Sequence, residues 1–102
     1  MDFTGDKNVW GCRVFKDLKD LDPSRSQRIV NHSPDGFNWG YGGSGPSQLA
    51  LAILLEVTDK DFAVRNYQSF KSDFIAKVGI KFKITDSEII AWANKRGWIN
   101  EA

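Results

Sequence analysis

The run from His32 to Val57 constrains this chain more than any other. Up to Pro46 it is dense in glycine and aromatic rings, and from Leu49 to Leu55 it is unbroken apolar sequence. Five of the nine glycines fall between Gly36 and Gly45, interleaved with Phe37, Trp39 and Tyr41. Glycine serves where backbone takes a positive φ or must be approached closely. So many of them ahead of a helix fix an unusual backbone shape at its N-terminus. The helix itself is predicted over 46–57. Its apolar residues occupy nearly all sides, and Ala50 and Ala52 admit close neighbours. A helix apolar all round is covered on most sides, which makes this one the expected core.

The remaining elements are expected to pack around it. Residues 1–7 are polar and read as loose. Asn8 to Lys16 reads as one strand, with Val9, Gly11, Arg13 and Phe15 on one face and Trp10, Cys12 and Val14 on the other. Asp17 to Ser26 carries turn residues, and Gln27 to Asn31 is expected as a short strand antiparallel to the first. Thr58 to Asp61 breaks the apolar pattern and offers a cap. The helix that follows has Ala63, Tyr67, Phe70, Phe74 and Val78 along one stripe and stops near Gly79. Ile80 to Ile84 alternates apolar and lysine, as an edge strand does. Thr85 and Glu88 have capping-box spacing ahead of a last helix that ends at Lys95-Arg96-Gly97, with Trp98 and Ile99 as a return contact. The fold class expected is α+β: one domain over 1–102, a small antiparallel sheet packed on the central apolar helix, and two further helices.

Composition narrows the function classes. A net charge of +1 lacks the basic excess of a dedicated nucleic-acid binder, so a long nucleic acid is disfavoured as a partner. The single cysteine, Cys12, can form no internal disulfide, which favours a reducing, cytoplasmic setting. No apolar run approaches the roughly 20 residues that span a bilayer, so no membrane is expected either. No cofactor and no metal site is expected, because one histidine and scattered acids make no ligand set.

The glycine-rich loop is the candidate site. It lacks the lysine ending of a phosphate-binding P-loop. Gly40, Gly42 and Gly45 fit G-x-G-x-x-G, but no parallel βαβ unit surrounds them. What remains is a nest of backbone N–H groups at a helix start, the geometry of an anion site. With Gly45 as N-cap and Pro46 in the first helical position, the amides of Ser47, Gln48 and Leu49 lack a side-chain partner unless Ser44 supplies one. The expected ligand-binding set is therefore His32, Trp39, Tyr41, Gly43, Ser44, Gly45, Ser47, Gln48 and Lys71. Trp39 or Tyr41 would stack on a ring, with Phe37, Trp39 and Tyr41 sharing one face of an extended segment. His32 or Lys71 would add charge, Lys71 lying one turn beyond Tyr67. The bland reading of the same residues is a structural loop, with His32 tying it down through hydrogen bonds. No catalytic residue is assigned; a cryptic enzyme using His32 is the weakest alternative.

The segment His32-Ser-Pro-Asp-Gly-Phe-Asn-Trp-Gly-Tyr-Gly-Gly-Ser-Gly-Pro46, followed by Leu49-Ala-Leu-Ala-Ile-Leu-Leu55 and Tyr67-Gln-Ser-Phe-Lys71, resembles a family of small proteins of unknown function. Its members occur in bacteria and in phages or other mobile elements. The resemblance implies a one-domain α+β protein, intracellular, with no enzyme activity to carry over. It suggests a phage accessory protein acting against a host defence. Such a protein would be a sponge for an anionic or nucleotide-like molecule, or an inhibitor that binds a host defence protein through an exposed aromatic patch. Four tryptophans in so short a chain also admit a homodimer.

Overall fold

In a computed structural model, which describes residues 1–99, the element order is ββ(β)α-αα-βα. Strands β1 (Asp2–Asn8), β2 (Gly11–Lys16) and the two-residue β3 (Lys19–Asp20) precede α1 (Ser24–Ile29), α2 (Ser44–Val57) and α3 (Lys60–Asp73). A 3₁₀ turn (Ile75–Lys77), β4 (Lys81–Thr85) and α4 (Asp86–Lys95) follow. All pairings in the sheet are antiparallel, in the order β3-β2-β1-β4. The α+β class holds, with four helices among the described residues where the sequence suggested three. Among the described residues no helix is long and apolar enough to cross a membrane.

The polar N-terminal residues are not loose. They form β1, the strand that joins β2 to β4. Phe3 is buried, and Gly5 sits directly beneath the Phe82 ring, where a Cβ would come within 2.1 Å of the ring. Glycine is therefore the residue that lets Phe82 cover the strand. Phe3, Val14, Phe82 and Ile84 line the inner face of the sheet and join the core with Leu49, Leu51, Ile53 and Leu54 of α2. The other face alternates Thr4, Asp6, Arg13, Lys81 and Lys83 toward solvent, the expected division for a sheet covered on one side.

Two further expectations fail for local reasons. The strand read over 8–16 is broken by a two-residue turn. Asn8 pairs with Gly11, Val9 and Trp10 form the tip, and the Trp10 N–H donates to Asn8 Oδ1 at 2.8 Å. The strand read over 27–31 does not form: Gln27 to Ile29 close α1, and Val30 is its extended C-cap. Asp22 Oδ1 accepts from the Ser24 N–H at 2.8 Å and from the Ser24 hydroxyl at 2.6 Å, and Gln27 N–H closes on Pro23 O. That start signal carries the helix through the β-branched Ile29, and Val30 ends it in an extended conformation. The Ser24 hydroxyl, then its amide, hold the Asp22 carboxyl below its usual pKa.

The central helix and the two after it follow the sequence closely. α2 is buried from Gly45 to Leu55. Asp59 caps α3 by accepting from the Phe62 N–H at 2.8 Å. α3 ends at Asp73 rather than near Val78, the chain passing into the 3₁₀ turn before β4. Thr85 caps α4 through the Glu88 N–H at 3.3 Å. The exit of α4 is a Schellman motif: Gly97 takes a φ of +91°, Trp98 N–H reaches Ala93 O and Gly97 N–H reaches Asn94 O. Trp98 makes the expected return contact, its indole N–H donating to Asp59 Oδ2 at 3.0 Å beside Phe62.

Candidate functional site

The glycine-rich loop is held down from both sides. Gln48, fully buried on α2, spends its whole side-chain amide on the preceding segment. Its Oε1 accepts from the His32 and Ser33 N–H groups at 2.8 and 3.0 Å, and its Nε2 donates to Ser26 Oγ and Val30 O at 2.9 and 3.1 Å. The His32 ring shares a hydrogen bond with the buried Tyr67 hydroxyl on α3. His32 thus ties the loop to α2 and α3. The Ser47 hydroxyl bridges Gly43 O and Gln68 Oε1.

The helix start lies two residues earlier than expected. Gly43 is the N-cap and Ser44 the first helical residue, which puts Pro46 third. Proline is tolerated there because amides of the first turn have no helical partner in any case. Ser47 N–H already closes on Gly43 O at 3.0 Å, so its amide is not free, and Gln48 and Leu49 lie deeper in the helix. The unpartnered positions move to Ser44 and Gly45, and no side chain caps them.

The three rings do not share a face. Gly40 takes a φ of +86°, which breaks the alternation. Trp39 is fully buried, meets Phe82 edge-on at 4.9 Å, and donates its indole N–H to Gly79 O at 2.8 Å. It is a core residue with no face for a ligand. Tyr41 is 49% exposed and lies across Gly43, where a Cβ would come within 2.5 Å of its ring. Lys7, which carries no local signal in the sequence, donates from its ammonium to Trp39 O. That ammonium stands 5.1 Å from the Trp39 ring centre and 5.8 Å from that of Tyr41. Gly45 packs on Asn38, leaving no room for a side chain. Lys71 is half-buried and makes no hydrogen bond or ion pair among the described residues.

An open groove of about 920 Å³ borders this loop, lined by Cys12, Arg13, Phe37, Tyr41, Ser44 and Gly45 among others. Of the expected ligand set, Tyr41, Ser44 and Gly45 reach it. Cys12 donates to Asn38 Oδ1 at 3.7 Å, and His32 is engaged elsewhere, so the two form no thiol–imidazole pair. Among the described residues no group of His, Cys, Asp and Glu is gathered to hold a metal ion.

The most exposed aromatic lies outside that loop. At the β1–β2 tip, Val9 is 91% and Trp10 92% exposed. Ile80, whose carbonyl accepts the Lys7 N–H at 3.2 Å, is 67% exposed at the adjoining end of β4. An Asn at the first and a Gly at the fourth position of a four-residue turn is the signal that could have found this tip. Residues 3–95 match the model of a family described as Family of unknown function (DUF6166). The chain belongs to that family. The DUF6166 match runs from β1 through α4, so tip, loop and core helices all lie inside it. No curated protein and no solved structure matches the chain.

Proposed function

We propose that this chain is a non-enzymatic binding module that docks on a partner protein through the β1–β2 tip. The observation that carries the reading is the exposure of Trp10 and Val9 on a turn whose backbone is fixed by the flanking ladder and by Asn8. Tryptophan is the residue type that most often dominates a binding interface, and a pre-ordered turn loses little freedom on docking. Burying such a side chain is worth about 1.5–3 kcal/mol. The resemblance to proteins of phages and other mobile elements supports a host defence protein as the partner, with the module acting as its inhibitor. The test is affinity capture from host cells with the wild-type chain and with Trp10→Ala. A specific partner held by the first and lost by the second is expected. Equal capture by both removes the tip from the interface.

A second reading is favoured by the groove beside α2. The uncapped amides of Ser44 and Gly45, with the Tyr41 ring next to them, offer N–H donors and a stacking face to an anionic or nucleotide-like molecule. Nucleotides and cyclic nucleotides at millimolar concentration should then raise the melting temperature by mass action. No shift across such a panel counts against this reading and leaves the docking reading untouched.

A further inference from the structure

Resting on the proposed docking role, we infer that the surface receiving the tip is an apolar socket rimmed by carboxylates. The cations of the three long strands differ in their pairing. At the far end from the tip, Lys16 pairs with Glu56 at 3.3 Å and Lys83 with Asp2 at 3.6 Å, and level with Asp6 only Arg13 is paired, with Asp20 at 3.1 Å. At the tip end, Lys7 and Lys81 form no ion pair among the described residues, and neither does Lys77, three residues before Ile80. Lys77 and Lys81 are both exposed. The acid of that end, Asp6, lies between Arg13 and Lys81 in the ladder register, so its charge is already faced by two cations. The exposed Val9, Trp10 and Ile80 thus stand at the end of the sheet where Lys7 and Lys81 supply a positive collar.

Such a collar adds little attraction in water, but it selects against basic surfaces and speeds encounter with acidic ones. A neutral socket would leave Lys77 and Lys81 without partners at the rim. A basic one would place like charges together around a desolvated tryptophan.

The experiment places a photoreactive benzoylphenylalanine at Val9 in the full chain, in host cells, and maps the cross-linked peptides. The expected adduct is a partner peptide that carries apolar residues flanked by Asp or Glu. The double variant Lys77→Glu/Lys81→Glu should then cut the cross-link yield about tenfold, with a loss that shrinks as salt rises. Lys95→Glu, an exposed change on α4, should leave the yield unchanged. An adduct on a neutral or basic surface, or a yield that charge reversal leaves intact, overturns the acidic socket while docking itself stands. Adducts to lipid or to a second copy, or none at all, overturn both.

Discussion

The loop at Gly36–Gly45 and the tip at Val9–Trp10 make an instructive pair. The loop is conspicuous in sequence, and the structure spends its largest ring and its tightest glycine internally: Trp39 is in the core, Gly45 lies against Asn38, and the segment before it is bound by Gln48. The tip is two residues long, looks like strand interior, and leaves both side chains in water. Unusual composition marks where backbone must fit closely, which is a demand of folding as often as of binding. Large apolar side chains that folding leaves uncovered are the better pointer to an interface.

The comparison breaks most visibly at Gln48. Gln48→Leu strips partners from two amides, a hydroxyl and a carbonyl in a buried site, and should cost about 3–5 kcal/mol in denaturant unfolding. Near-normal stability in that variant would show that the loop is not scaffolding. Gly45→Ala puts a Cβ 2.6 Å from the Asn38 Cβ and 3.1 Å from its backbone nitrogen. It should cost about 1–3 kcal/mol, read as a fall in melting temperature.

A smaller effect is expected from acid. The Phe62 amide, then the Trp98 indole, hold the Asp59 carboxyl below its usual pKa, as Ser24 does for Asp22. A depressed folded-state pKa contributes stability above the unfolded value near 4, and that contribution is lost as pH falls through the folded value. Asp59→Asn keeps a capping oxygen and removes the titration, so the acid side of its stability curve should flatten relative to wild type. An unchanged curve would mean that Asp59 does not titrate differently on folding. Trp10→Ala should shift stability least, within about 0.5 kcal/mol, because nothing covers the ring. A loss beyond 1 kcal/mol would make the tip part of the fold and weaken its claim as an interface.

What was legible follows from periodicity. α2, α3, β4 and α4 carry long patterns with capping residues at Asp59, Thr85 and Gly97, and local sequence decides them. β1 was hidden because Asp2-Phe-Thr-Gly-Asp-Lys-Asn has no β-branched run. It is a strand because its neighbours pair with it and Phe82 covers Gly5. α1 was hidden because the start signal at Asp22-Pro23 lay inside what reads as a turn. The candidate site was legible only as a location. Of the nine residues expected there, Gln48, Trp39 and Ser47 have contacts set by partners 15 to 41 positions away, which no local pattern reveals.

The position of β1 between β2 and β4 has a consequence for how the molecule comes into being. During translation this strand has one flank satisfied early, by the hairpin to β2. The other flank waits until Lys81–Thr85, far downstream of it, has left the ribosome. Until then, the backbone groups of Asp2 to Asp6 form an unsealed seam that another nascent strand could occupy.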